Sequence, residues 1–125
     1  MSEVEKKRVL VVDDDDDLLF MMKVSLAKYD FELVGADHAT EALTKFMQNK
    51  VHCIIVDIGL PNIDGTSLIR WVRETKLSVP IVAISGTIER RSESLEAGAD
   101  LFFTKPFSKD FFKEISYLVD KNANS

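Results

Sequence analysis

The stretch Arg8-Val9-Leu10-Val11-Val12-Asp13-Asp14-Asp15-Asp16-Asp17 decides how this chain is read. An apolar run of strand length empties directly into a row of carboxylates. The same design recurs downstream with different polar groups. Cys53-Ile54-Ile55-Val56 ends on Asp57, Ile81-Val82-Ala83-Ile84 ends on Ser85, and Leu101-Phe102-Phe103-Thr104 ends on Lys105-Pro106. In a parallel sheet the carboxyl ends of the strands lie side by side, so carboxylates, a hydroxyl and an ammonium converge on one crevice. That set of groups suits a divalent cation together with a phosphoryl group.

Between and around these strands the pattern alternates strand-like and helix-like segments, the signature of an α/β fold with a parallel sheet flanked by five helices. Strands are expected over Arg8–Val12, Glu32–Gly35, Cys53–Val56, Ile81–Ile84 and Leu101–Thr104. Three of them are nearly continuous apolar runs, as befits strands covered on both faces. Glu32–Gly35 is more polar and suits an edge. Helices are expected over about Asp16–Tyr29, Thr40–Gln48, Thr66–Thr75 and Glu89–Ala97. The fourth is weakly apolar and stopped by Gly98. A fifth, capped by Ser108, carries Phe111, Phe112, Ile115, Leu118 and Val119 on one stripe.

The 125 residues suit one domain with a core from about residue 8 to 119 and short polar tails. Apolar content of 46% and charged content of 30% describe an ordinary globule, and a net charge of −5 argues against a nucleic-acid surface. No apolar run approaches the ~20 residues that span a bilayer, so no membrane association is expected. The single cysteine, Cys53, excludes an internal disulfide and fits a reducing compartment, and the start lacks an apolar signal core. The expected location is the cytoplasm. Met1 and the polar ending Asn122-Ala123-Asn124-Ser125 favour a free-standing protein over a module excised from a longer regulator.

Asp57 is the candidate nucleophile, because a carboxylate can accept a phosphoryl group as an acyl phosphate. Neighbouring acids repel an anionic donor, and Mg²⁺ relieves that conflict by neutralising the cluster and bridging to phosphoryl oxygens. Mg²⁺ needs few protein oxygens, which Asp13, Asp14 and Asp57 with the carbonyl of Gly59 can supply. Lys105 would offset charge on one phosphoryl oxygen and Ser85 would donate to another. Each residue also has an ordinary role. Asp15, Asp16 and Asp17 read as helix capping and solvated surface; Asp13 and Asp14, taken alone, admit either reading.

Four stretches resemble the response-regulator receiver domain of two-component signalling: Val11–Asp14, Val56–Gly65, Ala83–Gly86 and Ala97–Phe107. They occur in order and at family-like spacing across about Arg8 to Val119. The resemblance implies a flavodoxin-like strand order, 2-1-3-4-5. It implies that Asp57 is the phosphoacceptor, Asp14 a direct Mg²⁺ ligand, Asp13 a carboxylate acting through metal-bound water, and Gly59 the carbonyl ligand. By the same resemblance Ser85 is the switch hydroxyl, Phe102 the aromatic whose rotamer follows it, and Lys105 the phosphate-contacting lysine ahead of a cis Pro106. Mn²⁺ is expected to substitute for Mg²⁺. A histidine kinase or histidine phosphotransfer protein is the implied donor, with output through an unidentified target protein, onward phosphotransfer in a phosphorelay, or phosphorylation-dependent dimerisation of a monomer. The implied protein is a regulatory phosphoprotein rather than an enzyme. The alternative is a Mg²⁺-dependent phosphohydrolase with Asp13 as nucleophile and Asp15 as acid.

Departures from the family pattern carry their own expectations. The segment between Ser85 and Ala97-Gly98 is about two residues shorter than usual, which puts the switch coupling in doubt. Gly59 has no side chain to shield a phosphoryl group, so a short-lived phosphoryl state is expected. Phe102 replaces the more frequent tyrosine and favours an inward ring. On the first helix Leu18, Met22, Leu26 and Tyr29 should face the core, while Phe20, Val24 and Ala27 form an opposite apolar stripe suited to helix-on-helix docking of the donor unless flanking helices cover it. Cys53 reads as buried, His52 as a surface residue, His38 as lacking a ligand partner at useful spacing, and Trp71 as partly exposed.

Overall fold

The computed structural model describes residues 6–123. The elements follow one another as β1 (Lys7–Val12), α1 (Asp16–Ala27), β2 (Phe31–Ala36), α2 (Ala39–Gln48), β3 (Cys53–Asp57), α3 (Gly65–Glu74), β4 (Ile81–Ser85), a 3-10 turn (Ile88–Arg90), α4 (Arg91–Ala97), β5 (Leu101–Thr104) and α5 (Phe111–Ala123). The sheet is wholly parallel in the order β2-β1-β3-β4-β5, as the resemblance implies. Strand β2 lies at an edge and is partly exposed, whereas every residue of β3 and β4 is buried.

The period-two alternation of the strands divides the core between two faces. Val9, Val11, Ile55, Val82 and Ile84 pack with Met22 and Leu26 of α1 and with Phe111, Ile115 and Val119 of α5. Leu10, Val12, Ile54, Val56 and Ile81 pack with Ala42 and Phe46 of α2, Leu68, Ile69 and Val72 of α3, and Ala97 of α4. Phe111 anchors the first face: its ring stacks on Phe107 at 4.2 Å and meets Phe103 and Phe112 edge-on at 4.9 and 5.0 Å. Truncating a fully buried Phe of this kind costs about 3–5 kcal/mol.

Some local expectations are corrected. Helix α1 ends at Ala27, and Asp30 turns the chain with φ 64°, so Tyr29 leaves the core side and is exposed. Ser108 does not cap α5; the helix begins at Phe111, whose N–H donates to the Ser108 carbonyl in the preceding turn. The fourth helical segment is split, with Ile88–Arg90 wound as a 3-10 turn and α4 only seven residues long. Gly98 ends α4 at φ 124°, a conformation that a side chain strains. His52 is half-buried rather than on the surface: its Nδ1 accepts the Arg8 N–H at 3.0 Å and extends the pairing of β1 with β3. Trp71 is partly exposed and Cys53 is buried, as expected; burial pushes the thiol up to about 12, which makes it inert.

Candidate functional site

Strand register assembles the site. Val12 pairs with Val56, so Asp13 and Asp57 follow at one level on neighbouring central strands, roughly 4.8 Å apart in backbone spacing. Asp57 pairs with Ile84, which places Ser85 one residue beyond it, and Ser85 in turn pairs with Thr104 ahead of Lys105. The oxygens of Asp13, Asp14 and Asp57 lie within 4.8 Å of one another. Asp13 is fully buried, Asp57 nearly so, and Asp14 is exposed at the rim.

Lys105 holds this cluster together. Its Nζ donates to Asp13 Oδ2 at 3.0 Å and reaches Asp57 Oδ2 at 3.4 Å. The Lys105 N–H donates to the Ser85 carbonyl at 2.8 Å, which ties its backbone to β4; the Lys105–Pro106 peptide is cis. Burial is the largest influence on the Asp13 carboxyl and, with the charge of Asp57, lifts it above the usual range despite donors from Asp15 and Lys105. Burial alone would lower Lys105, but the two carboxylates outweigh it and raise the ammonium. Two acids facing one lysine leave excess negative charge in a sheltered crevice. Hard oxygen donors in such a crevice fit Mg²⁺ better than a soft or nitrogen-seeking metal.

The surrounding groups also converge. Gly59 donates its N–H to Asp57 Oδ1 at 3.0 Å, and a Cβ at residue 59 would sit 3.7 Å from that oxygen. Ser85 is buried; its Oγ accepts the Thr87 N–H at 3.2 Å. Phe102 is half-buried against the cluster that includes Ile81, Ala83 and Ala97. The aspartate row divides its labour: Asp15 Oδ1 accepts from the N–H groups of Asp17 and Leu18 as the cap of α1, while Asp13 Oδ1 accepts from Asp15. Asp15 is thereby engaged in capping rather than poised as an acid.

Sequence reasoning missed two features. Asp64 caps α3 by accepting from Thr66, and Arg90 chelates the same carboxylate from the far side of the loop. The Asp64-Gly65 start signal is visible locally; the partner 26 residues away is not. Asp37, His38 and Glu41 bring ligand atoms within 4.8 Å of one another, correcting the expectation that His38 has no such neighbour. Those atoms are engaged in starting α2: His38 Nδ1 pairs with Asp37 Oδ1 at 2.6 Å and Glu41 accepts the Asp37 N–H at 3.0 Å. Of the two readings of the outer stripe of α1, the exposed one holds: among the described residues nothing covers it, and Phe20 is 69% and Val24 47% exposed, joined by Met21 and Ala27.

Comparison with known sequences matches residues 9–116 to the response regulator receiver domain. The chain belongs to that family. Receiver domains of two-component response regulators are phosphorylated on aspartate, bind Mg²⁺ at an acidic pocket and interact with histidine kinases or phosphotransfer proteins. Relatives of this receiver include the transcriptional regulatory protein PrrA of Mycobacterium tuberculosis, 38% identical over 83% of the chain and 46% of the relative. The alkaline phosphatase synthesis transcriptional regulatory protein PhoP of Bacillus subtilis is 34% identical over 82% of the chain and 43% of its own length. The receiver thus spans about half the length of the curated relatives it matches. Among solved structures, the response regulator TrrA of Thermotoga maritima in complex with Mg²⁺–BeF is 32% identical, with a TM-score of 0.82 over 90% of this chain and 98% of that one. A CheY-like receiver from Methanospirillum hungatei is 29% identical with a TM-score of 0.88, covering 96% and 98%. Among the described residues, no helix of this receiver is long and apolar enough to cross a membrane.

Proposed function

We propose that this receiver is a Mg²⁺-dependent switch that takes a phosphoryl group from a phosphohistidine protein onto Asp57. The observation that carries the reading is the meeting of three carboxylates within 4.8 Å, with the Lys105 ammonium 3.4 Å from Asp57. Asp13, Asp14, Asp57 and the carbonyl of Gly59 would hold the cation, and Mn²⁺ offers the same oxygen-seeking chemistry. Bound there, the ion supplies positive charge to both the acids and the incoming phosphoryl oxygens. Asp57 is the acceptor because its Oδ2 faces the lysine while Oδ1 is steadied by the Gly59 N–H. Lys105 can exchange a carboxylate for a phosphoryl oxygen without moving far, since its Nζ already lies between two acids. Ser85 keeps its hydroxyl hydrogen available, because its oxygen is the acceptor in the contact with Thr87.

The exposed stripe of Phe20, Met21 and Val24 supports donor docking through α1, beside the site that the Asp15 cap adjoins. Output would run through protein contacts, phosphorylation-dependent dimerisation or onward phosphotransfer. Intact mass after treatment with acetyl phosphate and Mg²⁺ tests the central claim. A phosphoryl adduct on the wild type that is absent from Asp57→Ala is the expected result; an equal adduct on both removes the assignment.

A further inference from the structure

Helix α4 is too short and too polar to hold its own position. Isolated helices below about 12–15 residues are marginal in water, and this one has seven. It buries only Ser94 and Ala97, with Leu95 half-buried, and no side chain caps its amino end. What fixes that end is Arg90. Its Nη1 donates to Asp64 Oδ1 at 2.8 Å and its Nη2 to Asp64 Oδ2 at 3.0 Å, while Nη1 also reaches the Ile58 carbonyl at 3.3 Å. Its Nε pairs with Glu93. A planar fork on both carboxylate oxygens sets geometry in a way a lysine cannot.

The same contacts brace the loop between Ile58 and Asp64. The Ile58 carbonyl also accepts the Gly65 N–H at 2.9 Å, so the base of the loop is closed from two sides. Close packing there is strict, since a Cβ on Gly65 would lie 2.5 Å from the Asp57 carbonyl oxygen. Inside the loop Leu60 is buried in the core and the Gly59 N–H donates to Asp57 Oδ1 at 3.0 Å, while Gly59, Pro61 and Asn62 are exposed. Gly59 is therefore held beside Asp57 by its own bond to that carboxylate, by buried Leu60 and by the clamps at both ends of the loop.

We infer that Arg90 is a positioning residue for cation binding: by clamping Asp64 and the Ile58 carbonyl it fixes the loop that carries Gly59, and it makes the seating of α4 and the occupancy of the acidic site depend on each other. This rests on the Mg²⁺ reading proposed above. The connection continues to the hydroxyl side of the site. Ser85 Oγ accepts from Thr87, Thr87 Oγ1 accepts the Glu89 N–H at 3.3 Å, and Arg90 closes the same 3-10 turn. A displacement of Ser85 pulls on the residue that braces Gly59. Such coupling is reciprocal, so whatever steadies the loop also steadies α4.

The test is Mg²⁺ titration by calorimetry, with hydrogen exchange by mass spectrometry, on the unphosphorylated full chain. Asp64→Asn retains helix-capping ability while removing the charged fork, which separates the latch from simple unfolding. Arg90→Gln and Asp64→Asn should each weaken Mg²⁺ binding about tenfold, the lower end for residues that orient metal ligands from behind. The double variant should be no weaker than either single one, because both remove one interaction. Exchange should quicken over residues 58–64 as well as 88–97, and saturating Mg²⁺ should slow exchange over 88–97 in the wild type only. Glu93→Gln should leave the affinity unchanged. Wild-type affinity in Arg90→Gln, with faster exchange confined to 88–97, would make Arg90 a strut for α4 alone and overturn the inference; additive losses in the double variant would do the same. A wild-type chain that binds no Mg²⁺ would instead remove the proposed function beneath it.

Discussion

Replacing Asp13 with Asn should make the metal-free protein more stable while abolishing most of its response to Mg²⁺. At an effective dielectric near 20, Lys105 at 3.0 Å attracts the Asp13 charge by about 5 kcal/mol, and a second carboxylate within 4.8 Å repels it by about 3.5 kcal/mol or more. The remainder is roughly 2 kcal/mol of attraction, whereas taking a carboxylate out of water costs several kcal/mol. The raised Asp13 carboxyl has the same sign: burial and Asp57 outweigh the lysine. Asn at this position still accepts the Asp15 N–H, and Lys105 keeps Asp57 as its partner, so no charge is stranded. A gain of about 1–2 kcal/mol follows, seen as a rise in Tm of roughly 4–8 °C for a chain of this size. Lys105→Met should act oppositely, because it leaves two acids facing each other. The loss should be about 2–3 kcal/mol, less than the ~3–5 of a fully buried pair, since the lysine side chain is 31% exposed. Thermal melts of the three proteins in chelator and in saturating Mg²⁺ measure both effects. An Asp13→Asn variant that melts below wild type in chelator would refute the argument from desolvation.

Phe20→Ser with Val24→Ser should slow phosphotransfer from a phosphohistidine protein while leaving acetyl phosphate kinetics unchanged, because both side chains are exposed and remote from the core; equal rates from the protein donor would end the docking proposal. Gly59→Asn, whose Cβ fits at an ordinary 3.7 Å from Asp57, should shield the site from water and lengthen the phosphoryl lifetime, with a tenfold change corresponding to about 1.4 kcal/mol in the barrier. Gly98→Ala should lower stability by about 1–3 kcal/mol in denaturant titration, since φ is 124° and a Cβ would meet Arg73 Cγ at 2.7 Å. Although burial, the largest influence, pushes Asp64 up, hydrogen bonds from Arg90 and Thr66 hold its carboxyl below the usual range. Its contribution is therefore present above the unfolded-state value of about 3.9 and lost as pH falls through the folded value. The stability difference between wild type and Asp64→Asn, followed by urea titration, should be constant near neutrality and shrink on acidification below about pH 4; a difference that grows there would contradict the ion pair.

Much of this was legible in the residues. Continuous apolar runs marked β1, β3 and β4 as doubly covered strands, and their terminal groups marked the crevice. Helices with a strong period, such as α3 with Leu68, Ile69 and Val72, were equally plain. Helix α1 was harder, because apolar residues surround it and only its end at Ala27 showed that Tyr29 faces water. The α4 region was the least legible. Its few apolar residues could not say that Ile88–Arg90 would wind as a 3-10 turn, since polar contacts rather than an apolar face hold it.

Local chemistry alone determined that this chain forms alternating strands and helices and that four strands deliver complementary polar groups, because alternation, propensity and capping act over a few residues. Which of those groups touch was decided by the fold. Lys105 reaches Asp13 across 92 residues and Arg90 grips Asp64 across 26, through strand register and loop closure that no window of sequence contains. Hydrogen bonds and ion pairs are short-ranged, so only the packed sheet could choose their partners.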